Sequence, residues 1–130
     1  MAVILVVEDD AAMRRVLVET LQRTGHVVTS AVNGVEARAL LARSAFDLVL
    51  TDLIMPDVEG LQLLRDIRRM SAPPKTIAMS GGGRGSAADY LAIASGMGAS
   101  ATLMKPFTQR AIVELIGQVL GTAAAGTGER

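Results

Sequence analysis

The sequence has 130 residues, the length of one ordinary domain with a buried core. Thirteen Lys and Arg residues balance thirteen Asp and Glu residues, so there is no electrostatic reason to expect direct binding to nucleic acid. The chain has no Cys and a single His, which excludes disulfides, thiolate metal sites, a cysteine nucleophile and a multi-histidine metal site. The apolar run over residues 2–7 is far too short for a signal or membrane segment, and we expect a soluble, unprocessed, cytoplasmic protein without membrane insertion.

Short apolar runs alternate along the chain with longer amphipathic stretches. This alternation is typical of repeated βα units and a parallel sheet. The predicted strands cover residues 3–7, 26–31, 46–51, 76–79 and 101–104, and the predicted helices cover 11–24, 35–42, 60–70, 86–97 and the stretch after Thr108. The sequence therefore predicts five βα units.

The ends of these elements carry recognisable boundary residues. Side-chain oxygens at helix starts accept backbone N–H groups, and Gly tolerates the left-handed backbone that follows a helix. The predicted boundaries are Asp10, Ser86 and Thr108 as N-caps, Gly25 and Gly98 as helix ends, and Asn33-Gly34 as a turn. The first helix is predicted to bury Met13, Val16, Leu17 and Leu21 and to turn Arg14, Arg15, Glu19 and Arg23 towards water.

The polarity of the strands predicts their order in the sheet. The first strand is apolar throughout, as expected of a strand buried on both faces, whereas the second is more polar and suits an edge. This polarity suits the order 2-1-3-4-5, and right-handed crossovers then put helices on both faces of a doubly wound, flavodoxin-like α/β fold. We expect residues 1–120 to form the domain and residues 121–130 to form a flexible tail or the start of a linker.

Three carboxylates are predicted to meet at one edge of this sheet. Glu8 and Asp9 follow the first strand and Asp52 follows the third, and these two strands are neighbours whose carboxyl ends share an edge. Such carboxylates repel one another, and a hard cation such as Mg²⁺, which prefers oxygen ligands, relieves the repulsion. The alternative is a solvated acidic loop in which Asp10 merely caps a helix.

Ser80 and Lys105 end the fourth and fifth strands and are predicted to approach the same crevice. Carboxylates, cation, hydroxyl and ammonium together suit the stabilisation of a transferring phosphoryl group. Since no general base is present, the Asp52 carboxylate itself is the expected nucleophile. The glycine-rich run over residues 81–85 lacks the residues and spacing of a P-loop, so no nucleotide or other organic cofactor is expected.

In combination these motifs resemble the receiver domain of bacterial two-component response regulators, of the stand-alone, chemotaxis-regulator-like kind. The matching stretches are residues 4–10, residues 52–56 with Gly60, residues 79–81 and residues 105–107, and the likeness extends from about residue 3 to residue 120. The resemblance implies that Asp52 accepts a phosphoryl group from a sensor histidine kinase or phosphotransfer protein. It also implies that Ser80 and Lys105 bind phosphoryl oxygens, and that Glu8, Asp9, Asp52 and the backbone carbonyl of Ile54 hold Mg²⁺.

The resemblance further implies that a downstream protein target reads the face formed by the fourth helix, the fifth strand and the fifth helix. Many relatives carry an aromatic switch residue in the fifth strand, whereas this chain has Thr102 there. We therefore expect ordering of the glycine-rich loop to carry the signal. Ile54 and Gly82 stand at positions that tune the lifetime of the phosphoryl group in this family.

Two other interpretations remain open from the sequence. The first is a scaffold or adaptor with a receiver's shape that is not phosphorylated, and such a protein has no need of Mg²⁺. The second is a phosphatase of related topology, but those enzymes place a second Asp two residues after the nucleophile, where this chain has Ile54.

Overall fold

The computed structural model describes residues 1–53, 59–81 and 87–121. A parallel five-stranded sheet of order β2-β1-β3-β4-β5 carries five helices, which confirms the predicted fold and strand order. The strands are β1 (Val3–Val7), β2 (Val27–Ala31), β3 (Leu48–Asp52), β4 (Lys75–Ser80) and β5 (Ala101–Met104). The helices are α1 (Ala11–Arg23), α2 (Gly34–Arg43), α3 (Glu59–Arg68), α4 (Ala87–Gly96) and α5 (Gln109–Val119).

Strand β1 lies in the middle of the core because both of its faces are apolar. Side chains alternate across a strand, so Ile4 and Val6 pack with residues of α1 and α5 on one face of the sheet. Leu5 and Val7 pack with residues of α2 and α3 on the other face. The sheet is therefore covered on both sides, as the continuous apolar strand predicts.

The strand register brings the carboxyl ends of four strands to one edge. Val7 pairs with Thr51, Asp52 pairs with Met79, and Ser80 pairs with Met104. Residues that end or follow β1, β3, β4 and β5 consequently start from nearly the same level of the sheet. Within the described part of the chain, no helix is long and apolar enough to cross a membrane.

Most predicted helix boundaries that fall on described residues are confirmed. The Asp10 carboxylate accepts the N–H of Met13, and the Thr108 hydroxyl accepts the N–H of Ala111. Gly25 and Gly98 have φ values of +93° and +98°, a backbone conformation that side chains with a Cβ rarely adopt. Ser86, residues 54–56 of the stretch that begins at Asp52, the glycine run beyond residue 81 and the tail from residue 122 lie outside the described residues.

The predicted inward face of α1 is wrong at one position. Val16 is 43% exposed, whereas Leu17, Thr20 and Leu21 are buried. Because successive helical residues are about 100° apart, Val16 is turned a quarter of the circumference or more away from the arc centred on Leu17. The buried arc takes the polar Thr20 instead, and its hydroxyl has no hydrogen-bond partner among the described residues.

Two local predictions are also corrected by side-chain hydrogen bonds. Asn33 is the N-cap of α2 rather than part of a turn, since its side chain accepts the N–H of Glu36. Strand β3 begins at Leu48 rather than at residue 46, and includes Asp52. Asp47 stands just before this strand, where its carboxylate accepts the N–H of Val3 and its own N–H donates to the carbonyl oxygen of Val3.

We predict that Gly60→Ala destabilises the fold. A Cβ at position 60 would overlap the carbonyl oxygen of Asp52 and lie 2.5 Å from the Cα of Leu53, and backbone atoms cannot move aside cheaply. The unfolding free energy should fall by about 1–3 kcal/mol in urea denaturation.

Gly96→Ala is the matched control, because a Cβ there meets nothing within 4 Å. That variant should be neutral or stabilise the fold by up to about 1 kcal/mol, since Ala restricts the unfolded chain more than Gly does. Equal effects of the two substitutions would contradict the steric account.

We also predict a pH dependence that originates at His26. Its Nδ1 accepts the N–H of Ala2 at 3.1 Å, and burial and the N-terminal amino group lower its pKa below 6.5. The unfolded chain therefore takes up a proton at a higher pH than the folded chain does. The stability that neutral His26 contributes is fully present above the pKa of the unfolded chain. It is lost as the pH falls through 6.5 towards the lower pKa of the folded chain.

The measurement is urea denaturation of the wild type and His26→Gln between about pH 7.5 and pH 5. The stability advantage of the wild type over the variant should shrink as the pH falls. A difference that stays constant across this range would contradict the assignment to His26.

Candidate functional site

The structure brings the predicted strand-end residues together at the carboxyl edge of the sheet. Glu8 follows β1, Asp52 ends β3, Ser80 ends β4 and Lys105 follows β5. Glu8 is 1% exposed, Asp52 is 5% exposed and Ser80 is fully buried. Asp9 is the exposed member of the group.

The three predicted carboxylates form one cluster. An oxygen of each of Glu8, Asp9 and Asp52 lies within 4.8 Å of an oxygen of the other two. Burial of two of these groups at such distances is costly unless a positive charge faces them. The cluster is therefore an anionic pocket that needs a cation.

Lys105 supplies one positive charge to this pocket. Its Nζ donates a hydrogen bond to Glu8 Oε1 at 2.8 Å and lies 3.6 Å from Asp52 Oδ2. Burial alone would lower the pKa of Lys105, but the hydrogen bond to Glu8 and the charges of Asp52 and Glu8 outweigh burial and raise it. Lys105 is therefore a permanent ammonium ion that spans the crevice from β5 to β1.

The Glu8 carboxyl responds to the same surroundings in a different way. Its burial raises the pKa above the usual range, the hydrogen bond from Lys105 opposes this rise, and the nearby Asp52 charge adds to it. One ammonium thus does not fully compensate the cluster. Two carboxylate charges remain in excess if all three groups are ionised, which matches the charge and oxygen preference of a hard divalent cation.

The main chain around Lys105 is tightly packed. Its N–H donates to the carbonyl oxygen of Ser80 at 2.9 Å, and the Lys105-Pro106 peptide is cis, an arrangement that Pro allows. Gly81 lies against this residue so closely that a Cβ at position 81 would overlap the Cβ of Lys105. The main chain and Cβ of Lys105 are thus closely packed against the end of β4, and its ammonium is held by the contacts to Glu8 and Asp52.

Ser80 contributes a buried hydroxyl without a hydrogen-bond partner among the described residues. An unsatisfied buried hydroxyl costs stability, so its retention is a sign of a further ligand atom. The side chain stands at the end of β4, next in the sheet to the end of β3 that carries Asp52. The Ile54 carbonyl and Gly82, which were also assigned to this site, lie outside the described residues.

The turn between β1 and α1 is held by a residue that sequence reasoning assigned to water. Arg14 is half-buried, and its Nη1 donates to the carbonyl oxygens of Glu8 at 2.9 Å and Asp9 at 3.4 Å. The N–H of Asp10 donates to Glu8 Oε2 at 3.2 Å. The available signal was spacing, because position 14 lies one helical turn beyond Asp10 and faces back towards the turn.

Comparison with known proteins agrees with this geometry. Residues 4–117 match the family model of the response regulator receiver domain. The response regulator protein FleR of Pseudomonas aeruginosa is 37% identical over 130 residues, which cover 96% of this chain and 27% of that protein. A chemotaxis protein CheY homologue of Campylobacter jejuni is 34% identical over 131 residues, covering 97% of this chain and 95% of that protein.

Solved structures give the same result at the level of the fold. The chemotaxis response regulator CheY4 of Vibrio cholerae superimposes with a TM-score of 0.81 at 26% identity, covering 92% of this chain and 98% of that chain. The chain thus spans about a quarter of the FleR regulator but nearly the whole of the two CheY proteins. On the family match and the shared fold, the chain belongs to the response regulator receiver domains, the phosphoacceptor signalling modules of two-component systems.

Proposed function

We propose that the Asp52 carboxylate is the phosphoacceptor, and that the donor is a phosphohistidine of a sensor histidine kinase or a phosphotransfer protein. The observation that carries this proposal is the convergence, at the carboxyl edge of the sheet, of three carboxylates, one ammonium and one buried hydroxyl that has no partner among the described residues. In the transfer, a carboxylate oxygen of Asp52 forms a bond to phosphorus while the phosphorus–nitrogen bond of the donor breaks. The product is an acyl phosphate on Asp52 and a free imidazole on the donor.

Mg²⁺ is the proposed metal of this site. Glu8, Asp9, Asp52 and the backbone carbonyl of Ile54 would hold it, and when bound it supplies positive charge to the phosphoryl oxygens. The excess negative charge around the single ammonium of Lys105 supports this choice. So does the donor set, since carboxylate oxygens are the ligands that hard cations prefer.

Lys105 and Ser80 are proposed to bind the phosphoryl oxygens. The Lys105 Nζ already lies 3.6 Å from Asp52 Oδ2, so its charge acts where negative charge arrives. The buried Ser80 hydroxyl is in a position to donate one hydrogen bond that the described residues do not accept. Neither group abstracts a proton, and the chemistry is positioning and charge stabilisation.

The output surface is proposed to be the face of α4, β5 and α5. Ile93 on α4 and Met104 on β5 are 49% and 50% exposed, and such large apolar side chains suit contact with a protein target. Thr102 occupies the middle of β5, so no aromatic side chain can switch there. Ordering of the loop after β4 is therefore the proposed link between Asp52 and this face.

The functional unit is proposed to be residues 1–120, with residues 121–130 as a tail or linker. The proposed location is the cytoplasm, with which a chain lacking cysteine is compatible. Catalysis is limited to transfer onto Asp52 and loss of the phosphoryl group from it. This makes the domain a signalling phosphoacceptor rather than an enzyme acting on a separate substrate.

The first test is phosphoryl uptake from acetyl phosphate in the presence of Mg²⁺, followed by intact mass measurement. The wild type should gain one phosphoryl group, and Asp52→Asn should gain none because the amide nitrogen and oxygen are poor nucleophiles. Chelation of Mg²⁺ should slow uptake by the wild type strongly. No gain on the wild type, or an equal gain on Asp52→Asn, would refute the assignment.

The second test separates function from stability at Ser80. We predict that Ser80→Ala unfolds at the same or a higher urea concentration than the wild type, because an unsatisfied buried hydroxyl is removed. The same variant should take up phosphoryl roughly 10-fold more slowly, since a hydrogen bond to a charged oxygen is worth about 1.5 kcal/mol or more.

Thr20→Val is the matched control, because Thr20 carries the other buried hydroxyl without a described partner. Thr20 lies near the C-terminal end of α1, about 13 Å along the helix axis from its first residue, Ala11, which follows the reacting edge. This variant should gain stability and keep the wild-type rate of uptake. A wild-type rate in Ser80→Ala would show that its hydroxyl does not bind the phosphoryl group.

A further inference from the structure

We infer that Arg14 is a positioning residue for cation binding. It holds the main chain that carries the side chains of Glu8 and Asp9. This inference rests on the proposed function, since it assigns a role to Arg14 in the same Mg²⁺ site. Both hydrogen bonds that Arg14 Nη1 donates to this turn go to main-chain carbonyl oxygens and not to carboxylate oxygens. Arg14 acts on the site through two backbone carbonyl groups.

The contacts of Arg14 concentrate on the one turn that supplies two of the three carboxylates. A single guanidinium nitrogen, Nη1, lies 2.9 Å from the Glu8 carbonyl oxygen and 3.4 Å from the Asp9 carbonyl oxygen. Rotation of either peptide would break one of these bonds. The two peptide planes that lead out of Glu8 and Asp9 are therefore held by the same cationic donor.

Asp9 depends most on this restraint. The Glu8 carboxylate has its own contacts, to Lys105 Nζ at 2.8 Å and to the N–H of Asp10 at 3.2 Å. The Asp9 side chain is exposed and makes no hydrogen bond or ion pair in the described ranges 1–53, 59–81 and 87–121. The main chain alone restricts where this carboxylate can reach, and Arg14 holds that main chain through the Asp9 carbonyl group.

The charge of Arg14 and its hydrogen bonds have opposite effects on the affinity for Mg²⁺. A positive charge near a cation site disfavours cation binding, so removal of that charge alone would tighten Mg²⁺ binding. Removal of the carbonyl contacts would weaken Mg²⁺ binding, because the ligands would lose their fixed positions. The two effects are opposed, and our inference requires that the second exceeds the first.

The experiment is calorimetric titration of Mg²⁺ into metal-free protein, with no phosphoryl donor present. Arg14→Met keeps the length and apolar stem of the side chain but removes both the charge and the donors. We expect its dissociation constant for Mg²⁺ to rise about 10-fold, as is typical when a group that supports a metal ligand is lost. Arg14→Lys keeps the charge and one donor nitrogen and should recover most of the affinity.

Arg15→Met is the matched control, because it removes the same charge from the neighbouring residue. The Arg15 side chain is 80% exposed and pairs only with Glu19 on its own helix, at 3.5 Å, among the residues that the structure describes. Its affinity for Mg²⁺ should stay unchanged or increase slightly. Urea denaturation without Mg²⁺ checks folding, and Arg14→Gln replaces Arg14→Met in the titration if the latter does not fold.

Weaker Mg²⁺ binding in the Arg14 variants, with rescue by Lys and no loss in Arg15→Met, supports the inference. An affinity in Arg14→Met or Arg14→Gln that equals or exceeds that of the wild type overturns it. These outcomes are separate from the phosphoryl test. A wild type that binds Mg²⁺ but takes up no phosphoryl group refutes the proposed phosphoacceptor while the Arg14 comparison still decides the positioning role.

Discussion

The ion pair between Lys105 and Glu8 joins the two ends of the domain across 97 positions of sequence, and the site depends on it. Both partners lie largely out of water, where opposite charges attract strongly but each charge is also costly to bury. The same ammonium faces Asp52 at 3.6 Å. The Lys105 ammonium therefore faces two carboxylates at once, and the negative charge that it leaves uncompensated is available to a further cation.

Parallel strands make this arrangement possible. Each βα unit returns the chain to the same edge, so residues far apart in sequence emerge side by side at the strand ends. The backbone then refines the positions: Gly60 lies against the carbonyl of Asp52, and Gly81 lies against Lys105. The sheet thus holds the site residues in place, so that less conformational entropy is lost when they bind a ligand.

Much of the fold and of the site could be predicted from the sequence because the relevant signals are local. A continuous apolar run predicts β1, the caps at Asp10 and Thr108 are single-residue signals, and strand ends predict where Glu8 and Asp52 meet. Arg14 was missed because its acceptors are main-chain carbonyls, which every residue has, so that only its spacing from Asp10 could have indicated the contact. The exposure of Val16 was predicted wrongly because periodicity gives the buried arc of a helix only to within about one position.

The close approach of Gly81 to Lys105 restricts which residues can replace Gly81. A larger residue at position 81 would push Lys105 away from Glu8 unless the backbone after β5 shifted at the same time. A second substitution at position 105 would not relieve the contact, because every residue except Gly keeps a Cβ there, so the main chain itself would have to move. The end of β4 and the start of the segment after β5 must therefore shift together, although more than twenty residues separate them along the chain.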